Sequence, residues 1–106
     1  MTDTLHSRTA ALRDILERQF QTHTGQLLEL TAYSREPGHG GHDPDTLRAL
    51  METARQGIAD SAGALRRMSE GTYGCCEGCG AEIPVARLEI RPSARYCVPC
   101  QERQPR

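Results

Sequence analysis

Lysine and tryptophan are absent from this 106-residue chain, phenylalanine occurs once, and neither sign of charge dominates. Each shortage excludes something. A net charge of −1 removes the basic excess that an electrostatic nucleic-acid binder normally shows. With hydrophobic residues at 37% and so few large aromatics, a compact globule would be thinly packed. The expected shape is therefore elongated, stapled by a metal, or both. The length allows one domain, or one domain with an arm, but not two independent cores. Because all 13 basic residues are arginine, the bias reads as compositional and assigns no function.

Long apolar runs are missing too. The opening stretch MTDTLHSRTAALRDILERQF carries charge throughout, so neither a signal peptide nor a membrane span is expected. All five cysteines lie between Cys75 and Cys100. Cytosolic thiols stay reduced, and clustered cysteines in that setting indicate metal or redox chemistry more often than disulfides. A cytoplasmic chain is the expectation.

Two helices account for residues 1–70. Leu5, Leu12, Ile15, Leu16, Phe20, Leu27 and Leu30 recur at intervals compatible with one helical face from about Thr4 to Tyr33. Thr2, Asp3 or Thr4 could cap its start, and His23, Thr24 and Gly25 interrupt the apolar face. The segment Ser34–His42 holds three glycines and a proline and reads as a loop. Asp43-Pro44-Asp45 then restarts the helix, because Asp suits the N-cap and Pro the first helical position. The second helix is predicted over Pro44–Glu70, with Gly71 as its left-handed stop.

Leu47, Met51, Ala54, Ile58, Ser61, Leu65 and Met68 step alternately by four and three residues, the period of a coiled-coil seam. Two such helices joined by a short loop bury their stripes only by packing antiparallel. The tip of that hairpin falls near residues 34–45. Gly57 and Gly63 inside the second helix read as weak spots or points of close helix approach.

Residues 71–106 form a different unit. Cys76-x2-Cys79-x17-Cys97-x2-Cys100 has the spacing of a zinc module. Each C-x2-C lets two thiolates from one tight turn reach the same ion, and two pairs complete a tetrahedron. One Zn²⁺ is the implied cofactor, and four thiolates leave no open position for water, which makes the site structural. A redox dithiol would need a βαβ context that is missing, and an iron–sulfur cluster is the other competing assignment. Gly80 is a candidate for positive φ, turning amides toward sulfur. Arg87, Arg91 and Arg95 are candidates to offset the charge of the thiolates. Cys75 is the odd thiol and reads as a spectator, although substituting for Cys76 would give C-x3-C. His39 and His42 form an H-x2-H that reads as solvated loop residues, with a second metal site as the alternative. Gln101–Arg106 reads as a short, frayed helix end. The fold class is thus mostly α: an antiparallel helical hairpin, a small zinc-ribbon-like four-cysteine module and a short C-terminal helix.

The segment Gly71-Thr-Tyr-Gly…Cys76-Glu-Gly-Cys79-Gly80, then Ile83-Pro84…Ala86-Arg87-Leu88, then Pro92…Cys97-Val-Pro-Cys100-Gln101 closely resembles the DksA/TraR zinc-finger family. The resemblance implies that Cys76, Cys79, Cys97 and Cys100 are the metal ligands. It also implies a non-enzymatic regulator that binds bacterial RNA polymerase without contacting DNA. Such proteins insert a coiled-coil tip into the secondary channel, where acidic tip residues alter initiation, in some members together with ppGpp. Asp43 and Asp45 are the matching acids here. Their spacing departs from the family's Asp-x-x-Asp-x-Ala, and the hairpin is shorter than in DksA-type members; both departures weigh against the ppGpp response that the resemblance otherwise allows. By local chemistry alone, both acids are also good helix caps. Two other classes remain from the residues themselves: a zinc-stapled protein–protein adaptor and, less favoured by charge, a nucleic-acid-binding finger. No nucleophile–base pair or phosphate loop suggests an enzyme.

Overall fold

The computed structural model describes the backbone of residues 2–105 and the side chains from Arg8 to Pro105. The proposed caps at Thr2, Asp3 and Thr4 and the apolar contact of Leu5 fall outside the described side chains. Helix α1 spans Thr2–Ser34 and α2 spans Pro44–Glu70. They lie side by side as a hairpin, closed by a single 3₁₀ turn over His39–Gly41. Two short helices follow, α3 at Val85–Ile90 and α4 at Val98–Glu102. No strand occurs among the described residues; one antiparallel bridge pairs Cys75 with Glu82. The molecule measures 56 × 31 × 21 Å with a radius of gyration of 16.6 Å. A compact chain of this length would have a radius of about 13 Å, so the expected elongated shape is present.

The second helix begins and ends where its sequence signals place it. Asp43 has extended backbone angles, and its carboxylate accepts from the amides of Asp45 and Thr46 at 3.1 and 3.2 Å. Gly71 is left-handed, with φ 79°, and its amide closes on the carbonyls of Arg67 and Met68. Every member of the predicted seam is buried or half-buried, with Leu47, Ala54 and Ser61 fully so.

The first helix has a less one-sided apolar stripe than the second, and it runs unbroken through His23, Thr24 and Gly25. Hydroxyls facing the seam are satisfied within their own helix, which removes the cost of burying them. Thr24 donates to the Phe20 carbonyl at 2.8 Å and Thr31 to that of Leu27 at 2.6 Å. From α2, Ser61 donates to the Gly57 carbonyl at 2.8 Å.

His23 does not interrupt the stripe; it belongs to the seam. Its ring lies on Gly57, where a Cβ would stand 2.5 Å from the imidazole Cδ2. Gly57 is therefore a point of close helix approach, and two substitutions should move stability in opposite directions. Gly25→Ala adds a methyl in open space on α1 and should gain up to about 1 kcal/mol from helix propensity. Gly57→Ala gains the same propensity but overpacks the histidine, a cost of about 1–3 kcal/mol. Thermal melts of the two variants should show Gly25→Ala above the parent and Gly57→Ala below it.

The base of the hairpin and the segment after Gly71 share one core. Leu12 from α1 is buried with Cys76, Ile83, Leu88, Ala94 and Cys100, and Met68, Tyr73, Tyr96 and Cys97 pack against them. No described helix is long and apolar enough to cross a membrane.

Candidate metal centre

Two short loops bring the cysteines together. Gly80 adopts positive φ (79°), as expected, and its amide bonds the Cys76 carbonyl at 2.9 Å, closing the first turn. The second pair sits at the start of α4, where Pro99 occupies the first turn and needs no amide partner. The sulfurs of Cys76, Cys79, Cys97 and Cys100 all lie within 4.8 Å of one another. The Cys79 and Cys97 sulfurs are 3.8 Å apart. An ideal tetrahedron with Zn–S bonds of about 2.3 Å has edges of about 3.8 Å, so the donor set fits zinc in both chemistry and size. That separation is also far beyond a sulfur–sulfur bond, and all five cysteines are free.

The charge on sulfur is met by backbone, and not by the arginines the sequence suggested. The amides of Gly78 and Cys97 both donate to Cys76 Sγ at 3.3 Å. Chiefly through the Cys97 amide, and against the opposing effect of burial, the Cys76 thiol is held down to about 6. Cys100 goes the other way, up to about 12, because it donates to the Cys97 and Cys76 sulfurs and is buried among them. A divalent cation reverses that crowding by stabilising every thiolate at once.

Arg87 and Arg95 instead brace the second cysteine loop. Arg87 Nε donates to the Tyr96 carbonyl at 3.0 Å. Arg95 Nε pairs with Glu77 at 2.6 Å and stacks 5.2 Å over the Tyr96 ring. The Arg91 residue is exposed, and its backbone shapes the turn that leads to Ala94.

Gly78 is a position the sequence reading passed over. A Cβ there would stand 3.0 Å from Cys100 Sγ, a tight contact, so glycine lets the first loop lie close against the second. A glycine between two cysteines of a C-x2-C was the available signal. Helix α3 was also unforeseen; Pro84 immediately before Val85-Ala86-Arg87-Leu88 was its start signal. The C-terminal helix begins at Val98, on the second cysteine pair, earlier than Gln101; Arg106 lies outside the described residues.

Cys75 is exposed and lines a separate cleft with Leu12, Tyr73, Ile83 and Leu88. It does not join the four-sulfur cluster. His39 and His42 form no cluster of three or more metal-binding groups among the described residues; His42 packs on the Tyr33 ring at 5.6 Å. At the tip, Asp43 is engaged as the cap, while Asp45 reaches Arg48 at 3.4 Å and is otherwise exposed.

Comparison with known proteins agrees with this geometry. Residues 71–106 match the prokaryotic dksA/traR C4-type zinc finger. The fold is similar to that of transcription factor DksA2 from Pseudomonas aeruginosa, with a TM-score of 0.74 and 28% identity over 92% of this chain and 83% of that one. The finger is thus similar to the DksA/TraR type, and the hairpin and finger together share the fold of DksA2. Like the family's C4 fingers, it carries one structural zinc. It is 54% identical over 66 residues to the RNA polymerase-binding transcription factor DksA of Caulobacter vibrioides, covering 58% of this chain and 46% of that protein. It is 42% identical over 59 residues to General stress protein 16O of Bacillus subtilis, covering 56% of this chain and 36% of the relative. In each case the matched stretch spans less than half of the relative's own length.

Proposed function

We propose that this DksA-like protein is a non-enzymatic regulator that binds RNA polymerase, with the hairpin tip inserted into the secondary channel and the zinc module holding the hairpin's base. Residues 1–70 serve as the inserted arm and residues 71–106 as the metal-stapled support. Cys76, Cys79, Cys97 and Cys100 are the ligands of the zinc, and Asp43 and Asp45 are the tip acids that act in the channel. The observation that carries this reading is the pairing of a long, narrow helical hairpin with a C4 finger in one elongated body, similar over most of its length to DksA2. The polymerase partner comes from the relatives' name and fits the geometry: a hairpin two helices wide can enter a channel that a globule cannot. The proposal includes no ppGpp requirement, since the tip acids do not have the family spacing.

Binding of core RNA polymerase to immobilised protein, competed by another ligand of the secondary channel, tests the reading. Capture that the competitor abolishes is the expected result. Capture that it leaves unchanged, or no capture, would favour an adaptor for some other protein. Free duplex DNA at physiological salt should show no appreciable binding in an anisotropy titration, because a net charge of −1 offers little counterion release. Tight, salt-sensitive binding there would favour the nucleic-acid finger.

A further inference from the structure

Among the described residues, Arg67 is the one charged residue with a buried side chain, at 8% exposed, and it forms no ion pair. It lies in the last turn of α2, where the hairpin meets the finger. Its Nη2 donates to the Ser93 carbonyl at 3.4 Å, 26 residues further along the chain. The neighbouring carbonyl, that of Pro92, accepts from the Tyr73 hydroxyl at 2.8 Å. The Arg67 guanidinium is close enough to Tyr73 to favour its phenolate, although burial prevails and pushes that hydroxyl up to about 12. Two adjacent carbonyls of one turn are thus held by two side chains that flank the end of α2.

The backbone of Arg67 is used as fully as its side chain. Its carbonyl accepts from the amides of Thr72 at 2.9 Å and Tyr73 at 3.2 Å, and from the left-handed Gly71. One turn back along α2, the guanidinium lies beside Gly63, where a Cβ would stand in ordinary van der Waals contact with it, 3.4 Å from Nη1. A planar guanidinium with several fixed donors suits such a junction, because it fixes direction as well as distance. Burying a cation merely to fill space would be costly, and an aliphatic side chain would fill the groove without that cost. The residue is therefore used for its hydrogen-bond geometry.

The structure assigns Arg67 as the positioning residue that, together with Tyr73, grips the Pro92–Ser93 turn and fixes the direction of the hairpin relative to the zinc module. Zinc holds the finger together; Arg67 aims the hairpin from it. The consequence for transcription rests on the polymerase reading above: a tip that must reach one point while the finger stays at the rim needs a fixed angle between them.

Residual dipolar couplings measured on the zinc-loaded full chain test the assignment without polymerase. In the parent, amides of residues 44–70 and of residues 76–102 should fit one alignment tensor. In Arg67→Met they should need two, with reduced order in the finger, while zinc content and helical circular dichroism stay at parent values. Arg67→Lys, which can still donate to the Ser93 carbonyl, should restore the single tensor in large part. Tyr73→Phe, a milder change that keeps the ring, should loosen the junction in the same direction. A single tensor in both Arg67→Met and Tyr73→Phe would overturn the assignment. So would loss of zinc or of helix content in Arg67→Met, which would make the residue one of general folding. Failure of polymerase capture with the couplings as expected would count against the functional reading alone.

Discussion

Cys97→Ser should release the zinc and unfold the chain from Gly71 onward, the largest change in stability expected of any single substitution here. A structural zinc supplies about 10–16 kcal/mol in small modules, as much as the whole stability of a typical domain. Little in the finger replaces it: the described residues there include no strand, and α3 and α4 have six and five residues. The damage should spread beyond the module. Leu12 and Met68 pack on the same core as the cysteines, so the base of the hairpin loses its cover when the finger unfolds. Hydrogen exchange should show lost protection throughout residues 72–102 and at the hairpin base, with protection retained from Leu47 toward Ile58. Elemental analysis should find one zinc per chain in the parent and in Cys75→Ser, and none in Cys97→Ser. Zinc retained in Cys97→Ser, or lost in Cys75→Ser, would refute the ligand assignment.

Removing the tip charges should have the largest effect on activity and almost none on folding. Asn offers the same acceptor oxygen as Asp, so Asp43→Asn keeps the contacts to the Asp45 and Thr46 amides. What is lost is the charge–dipole attraction, about 0.3–1 kcal/mol per residue. At Asp45 an exposed pair with Arg48 goes too, worth at most about 1 kcal/mol. The Asp43→Asn/Asp45→Asn variant should therefore fold, hold its zinc and bind polymerase through its base. Its effect in single-round transcription should nevertheless disappear. Full regulation by this variant would leave the two acids as helix caps only.

The parts of this molecule that local chemistry dictates were legible in the sequence. The Asp43-Pro44 start, the Gly71 stop and the heptad from Leu47 to Met68 each depend on residues within one or two turns, and each stands where expected. The four-cysteine cluster was legible for a different reason, since C-x2-C spacing encodes a shared ligand across any distance along the chain. What could not be read depended on contacts between distant segments. His23 looked like an interruption of the first helix's apolar face because its place in the seam depends on the opposing Gly57. Arg67 carries no local signal of its role, because its partner at Ser93 lies 26 residues away. The arginines of the finger were assigned by charge to the thiolates. The amides of Gly78 and Cys97 meet that charge instead, and Arg87 and Arg95 serve the Tyr96 loop.

Where the hairpin tip lies when polymerase is bound tests the central claim most directly. Glu36 is exposed beside the tip turn and makes no described side-chain contact the fold depends on, so a photo-crosslinking amino acid can replace it. Illumination of the complex with core RNA polymerase, followed by mapping of the joined peptides, should place the tip against residues lining the secondary channel. Crosslinks confined to the outer surface of the enzyme would contradict insertion.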